Sequence, residues 1–231
     1  MTTGDVKTVQ QLLDSGAHIE GANKRDLRML HVAVRHEVKE VVCLLLERGA
    51  DIESVGWNGW KALHYTTKIK NNEIAQLLLN WGANIEAGDD RGWKALHIAT
   101  DYAHDDVIRF LLDRGANIEA VGDRGWKPLH LAAYYGHDEI IRLLLDRGAN
   151  IEALDDGGWT ALHIATHYGH TQVIQLLLDR GADIEARGEL GSTALRGATL
   201  DRNDNVVRLL LDRGVDIETR GQHGSRVLLE R

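Results

Sequence analysis

Histidine is the side chain whose number and spacing could most readily do chemistry in this 231-residue sequence, which holds 12 of them. His31, His64, His97, His130 and His163 recur every 33 residues, and His104, His137 and His170 form a second series at the same interval. A zinc ion needs ligands within about 2.0–2.1 Å, whereas residues one layer apart in a stack of helices stand about 8–10 Å from each other. Neither series reads as a metal centre. Asp101 and His167 are the acid and base types of a proton relay, but they fall two layers apart, about 20 Å on that spacing. No Ser–His or Cys–His pair, phosphate-cradling glycine motif or CxxC occurs. The residues thus point to no catalytic site, no metal and no cofactor. Cys43 is the sole cysteine, which excludes a disulfide framework and agrees with a reducing compartment.

A glutamate series follows the same interval at Glu20, Glu53, Glu86, Glu119, Glu152, Glu185 and Glu218. Adjacent carboxylates at such separations cannot share a cation, and their repulsion in water is only about 0.4 kcal/mol at 10 Å. They read as a solvated acidic ridge tied to the loop backbone.

These series must be carried by a repeated element. Leu30, Leu63, Leu96, Leu129, Leu162, Leu195 and Leu228 keep the same register, as do Gly16, Gly49, Gly82, Gly115, Gly148, Gly181 and Gly214, with no insertion anywhere. The stretch Gly125 to Ala153 shows the unit most clearly. Lys127-Pro128 opens a helix, since proline has no N–H to lose at the first helical position. Leu129, Ala132 and Ala133 give it one apolar stripe, and the alanines let a neighbour approach closely. Gly136-His137 breaks it, and Asp138 and Glu139 start a second helix where negative charge suits the dipole. Ile140, Ile141, Leu143, Leu144 and Leu145 make that helix apolar over more than half its girth, so each unit needs neighbours. Arg147 and Gly148 stop it, and an extended loop or short hairpin leads to the next unit.

In order, the chain reads as a single array over 1–231: a partial unit at 1–22, full units at 23–55, 56–88, 89–121, 122–154, 155–187 and 188–220, and a partial unit at 221–231. Gly4-Asp5-Val6 matches the start of a second helix and Ser225 to Arg231 the start of a first. Such ends read as a fragment of a longer array, or as uncapped ends able to self-associate. Net charge is −8, so the phosphate-neutralising surface of a nucleic-acid binder is lacking. The opening MTTGDVKTVQ is not of signal-peptide type and no apolar run could span a bilayer. The expectation is an intracellular protein, cytoplasmic or nuclear, without nucleic-acid or membrane partners.

With its 33-residue period and its TPLH-like and LLLDRGANIEA-like segments, the whole chain resembles the ankyrin repeat. The resemblance implies an all-α repeat solenoid of helix-turn-helix units with short hairpin or extended loops. It also implies that the TPLH histidines are structural, bridging neighbouring units. The chain departs from the family at the threonine that caps the first helix: Thr160 and Thr193 keep it, Lys61, Lys94, Lys127, Arg28 and Arg226 replace it, and only Pro128 keeps the proline. The bond from that threonine to the histidine is not expected where lysine or arginine stands.

In the family, hairpin tips and first helices line a concave binding face. By register that face carries Trp57, Trp60, Trp93, Trp126 and Trp159, a row including Lys68, Asp101, Tyr134 and His167, a second row including Tyr102, Tyr135, Tyr168 and Asp201, and tips with Asn58, Asp90, Arg91, Asp123, Arg124 and Asp156. Tryptophan and tyrosine are the types most enriched at binding hot spots. The tryptophans also suit stiffening of the array against the lysine stems, and both readings stand. The expected function is a non-catalytic scaffold holding a protein or peptide at Trp57, Trp60, Arg91, Trp93, Asp101, Tyr102, Arg124, Trp126, Tyr134, Tyr135, Trp159, His167 and Tyr168. The rival reading is an enzyme or small-molecule receptor using Asp101, Tyr134 and His167 across an aromatic pocket, or a regulatory part of a larger protein.

Overall fold

The 33-residue period folds as pairs of antiparallel helices. The structure, a computed structural model, describes residues 3–188 and 191–215. Glu218, Arg226, Leu228 and the partial unit at 221–231 lie outside the described residues. The chain divides into two compact units, Met1–Gly122 and Asp123–Arg231, and each is taken by itself.

The first unit opens with α1 (Thr3–Asp14), followed by the pairs α2 (Met29–Arg35) and α3 (Lys39–Glu47), α4 (Ala62–Ile69) and α5 (Asn72–Asn80), and α6 (Ala95–Asp101) and α7 (Asp105–Asp113). Helix α1 packs on α3, the place of a second helix, as its sequence register implies. The first helices α2, α4 and α6 stack in a row. The second unit repeats the plan with α8 (Pro128–Tyr135) and α9 (Asp138–Asp146), α10 (Ala161–His167) and α11 (Thr171–Asp179), and α12 (Ala194–Leu200) and α13 (Asp204–Asp212). Among the described residues there is no strand, only an isolated bridge between Ala22 and Arg28. The all-α repeat solenoid expected from the sequence is what forms.

The apolar register explains the stacking. Ala132, Ala133, Ile141 and Leu144 have no exposure, and Ala62, Leu78, Ala165 and Leu177 repeat that in other layers. Small residues on the first helices let the rows approach, while long aliphatics on the second helices fill the space behind. Pro128 occupies the first turn of α8, and Gly148 takes the left-handed φ of 89° just beyond α9.

Three polar staples join one layer to the next. The TPLH histidines accept on Nδ1 from the backbone N–H three residues earlier, at 2.9 Å for Lys61 and His64 and 3.1 Å for Lys94 and His97. That leaves the proton on Nε2. Nε2 donates to a carbonyl of the loop that leads to the next layer: His31 to Ser54 at 3.0 Å, His64 to Ala87 at 3.0 Å and His130 to Ala153 at 2.8 Å, while His163 reaches Ser192 of the following unit at 3.1 Å. Burial holds His31 and His163 below the ordinary histidine value and pushes His64 down to about 4. These histidines are structural, as the family resemblance implied: His31, His64 and His130 hold the loop that closes their own unit, and His163 bridges to the next.

The glutamate series is the second staple. Glu20, Glu53, Glu86 and Glu152 accept on Oε1 from the backbone N–H of Asp51, Asn84, Asn117 and Asp183 at 2.7–2.8 Å. The third staple replaces a lost cap. Thr160 and Thr193 accept from the N–H three residues on, as a capping hydroxyl does, and Thr160 Oγ1 lies 2.9 Å from His163 Nδ1. Lysine has no acceptor for that role. Instead Lys61 Nζ donates to the Gly88 carbonyl at 2.7 Å, Lys94 Nζ to Val121 at 3.0 Å and Lys127 Nζ to Leu154 at 3.0 Å. Arg28 reaches Val55 in the same way. The lysines exchange a cap on their own helix for a bond to the loop that leads to the next layer.

Candidate functional site

The loop tips alternate between two designs along the chain. Where a repeat starts with Asn or Asp, that side chain folds the tip: Asp89 Oδ1 accepts from Arg91 and Trp93 at 2.8 and 2.9 Å, and Asp155 Oδ1 from Gly157 and Trp159 at 2.9 and 2.8 Å. Where it starts with Gly56 or Gly122, the tip is a single 3-10 turn, Trp57–Gly59 or Asp123–Gly125. In those turns Asn58 and Arg124 take a left-handed φ of 57°. Gly59 and Gly125 follow, and a Cβ there would collide with Asp90 or Asp156. The carbonyls of Asn58 and Arg124 accept from the Asp90 and Asp156 N–H at 3.2 and 3.0 Å. A turn of one design therefore always abuts an aspartate-folded tip of the other.

Each such junction opens a cleft. In the first unit Asn58, Trp60, Asp89, Asp90, Arg91, Trp93, Ile98 and Asp101 line a space of about 210 Å³. In the second, Arg124, Trp126, Asp155, Asp156, Gly157, Trp159, Ile164, His167 and Tyr168 line one of about 490 Å³. The second set is the first displaced by two repeats, with Tyr168 added. Gly157 stands where Arg91 narrows the first cleft, which accounts for the wider mouth.

Of the residues singled out in the sequence, Trp60, Arg91, Trp93 and Asp101 meet in the first cleft, and Arg124, Trp126, Trp159, His167 and Tyr168 in the second. Tyr134 lies beside the second cleft, its ring centroid 5.2 Å from Trp126 and 4.5 Å from Tyr168. Tyr135 packs edge-on against Tyr134 at 4.8 Å and on His137 at 5.5 Å. Tyr102 lies on His104, and its other neighbour is Lys68. Trp57 stands apart at the tip, 62% exposed, and lines neither cleft. The tryptophans that line the clefts are half-buried, with Trp60, Trp93 and Trp159 resting on the histidine of their own repeat at 6.1–6.4 Å.

Three features escaped the sequence reading. Lys68 Nζ sits 5.4 Å from the ring centres of both Trp60 and Tyr102, the position that Tyr134 fills between Trp126 and Tyr168 in the second unit. His167 Nδ1 lies 2.7 Å from the Asp201 carboxylate of the following layer, and its ring meets Trp159 edge-on at 5.5 Å. Trp126 Nε1 donates to Asp155 Oδ2 at 3.2 Å, whereas the Trp93 indole N–H, facing Gly122, is buried without an acceptor. The alternation of Asn23, Gly56, Asp89, Gly122, Asp155 and Gly188 at the repeat starts was the signal that could have revealed the paired tips. Among the described residues no group of three or more His, Cys, Asp or Glu side chains is placed to hold a metal ion. No helix among them is long and apolar enough to cross a membrane.

A model of three tandem ankyrin repeats matches residues 53–121, 89–155, 119–188 and 153–221, and a single ankyrin repeat matches 29–57. The chain belongs to the ankyrin-repeat family. Among solved structures, this ankyrin-repeat chain is similar to the ankyrin repeat domain of Bcl-3, described as a unique member of the IkappaB protein family. The two share 30% identity with a TM-score of 0.77, over 85% of this chain and 90% of that one. A search of curated proteins returned no match. Ankyrin repeats are generally protein–protein interaction modules, and proteins built from them are typically non-catalytic.

Proposed function

We propose that the chain is a non-catalytic intracellular scaffold that binds a protein or peptide segment at the two tryptophan-walled clefts and the tyrosines beside them. The observation that carries this reading is the pairing itself: the same indoles over the same isoleucine occur twice, with different polar side chains at the rim. A floor held constant beside a rim that varies suits a stiff support with selectable contacts. The histidine, glutamate and lysine staples order the loops before any partner arrives, so the ordering cost of binding falls mainly on the partner. Exposure agrees with this, since Tyr102, Tyr135 and Tyr168 remain 41–47% exposed.

The test is affinity capture from the native lysate with the wild-type chain and a Trp126→Ala, Tyr135→Ala, Tyr168→Ala variant whose helicity is checked by circular dichroism. A protein captured by the wild type and lost by the folded variant is the expected result. Equal capture by both would remove these aromatics from the interaction site.

A further inference from the structure

The cleft of the second unit has the chemistry of a seat for a cation. Trp126, Trp159 and Tyr168 wall it, Ile164 lies beneath, and Asp155 and Asp156 stand at its tip. Trp126 meets the Tyr134 ring and Trp159 meets His163 and His167, and both indoles line the cleft. Asp155 spends both oxygens on Gly157, Trp159 and the Trp126 indole, which fixes its charge in place. Asp156 is exposed and has no ion-pair partner among the described residues.

The first unit shows what such aromatic columns hold. There the Lys68 ammonium lies 5.4 Å from both Trp60 and Tyr102, a distance at which the ring quadrupole attracts a cation. In the second unit the Tyr134 ring fills the place of Lys68 against Trp126 and Tyr168, so no ammonium of the described residues is resident there. The other cation at this cleft is Arg124, which lines its mouth with its charge near the Tyr168 hydroxyl; its side chain is 80% exposed and lies 4.0 Å from Asp123. His167 is turned to Asp201.

We infer that this cleft seats a lysine or arginine side chain of the partner segment, its stem against Trp126 and Trp159 and its charge toward Asp155 and Asp156. This rests on the reading of the cleft as a binding surface and names the chemistry that reading leaves open. A space of about 490 Å³ admits one long side chain with its flanking backbone.

The test uses the full chain, ¹⁵N-labelled, with the indole resonances of Trp126 and Trp159 assigned through Trp→Phe variants. The probes are the N-acetyl methylamides of lysine, arginine, norleucine and glutamate, added at equal ionic strength. Both indoles should shift with the lysine and arginine probes and not with the norleucine or glutamate probes, and Asp156→Asn should weaken the response about two- to fivefold. Shifts of equal size with norleucine would keep the cleft as a side-chain site but overturn the cation assignment. Shifts with glutamate alone would reverse its polarity. No shift with any probe would overturn both the assignment and the binding surface beneath it.

Discussion

Two clefts built on the same register, one within residues 58–101 and the other within 124–168, hold the same indoles over the same isoleucine and part company at the rim. Below the indoles, the same histidine and glutamate bonds recur in both units. At the rim, Asn58 becomes Arg124, Arg91 becomes Gly157, Asp101 becomes His167, and Lys68 gives way to Tyr134. The floor follows from what a stacked layer must bury and satisfy, whereas nothing in the stacking dictates the rim. The difference separates what holds the protein together from what is free to meet a partner.

The largest effect expected tests the shared floor. Ile98 and Ile164 are 2% and 1% exposed, so Ile98→Ala and Ile164→Ala should each cost about 2–5 kcal/mol in urea unfolding. A cost near zero for one of them would mean the two floors are not equivalent.

Acid should act on both units next. Burial lowers His64 beneath the first cleft to about 4 and lowers His163 beneath the second. Between the unfolded value near 6.5 and the lower folded value, the unfolded chain binds a proton that the folded chain refuses. Stability is thus fully present above about pH 6.5 and falls by up to about 1.4 kcal/mol per pH unit for each such histidine as pH drops toward 4. Hydrogen exchange followed across that window should show the amides around both Ala87 and Ser192 losing protection. A unit that kept its protection to pH 4 would not be closed by its histidine.

Smaller effects distinguish the two caps. Thr160→Ala should cost about 1 kcal/mol through the lost hydroxyl acceptor, and Lys94→Met about 1 kcal/mol through the lost bond to Val121. Only the lysine variant should loosen the loop that leads to the next layer, which hydrogen exchange at 121–122 would report. The smallest change concerns the strained tips. Arg124→Gly should stabilise by about 0.5–1 kcal/mol because a left-handed φ suits glycine, and Asn58→Gly by less because asparagine tolerates that region. If Arg124 serves the cleft, the stabilised variant should bind the captured partner more weakly.

The solenoid was legible because its register is covalent: leucines, glycines and alanines at a fixed interval leave one way to bury their apolar faces. Helix ends could be read from Pro128, Asp138 and Gly148 for the same reason. The tie of Glu53 and Glu152 to loop backbone could be read from the sequence, but not that the bond crosses to the following unit, since no local pattern reports it. The lysines look like lost caps until their reach to the next carbonyl is known. Among site residues, the Trp60, Trp93, Trp126 and Trp159 row could be placed by register alone. The partnership of His167 with Asp201, and of Lys68 with two rings, depends on which rotamer each long side chain adopts across a layer.

The most direct measurement exchanges the rims while leaving the floors alone. A Tyr134→Lys, His167→Asp variant gives the second cleft two of the four side chains that distinguish the first, in a register where lysine and aspartate are already accommodated at 68 and 101. Capture of the wild-type partner should be lost while urea stability changes by less than about 1 kcal/mol. Undiminished capture by the stable variant would contradict the assignment of recognition to the rim.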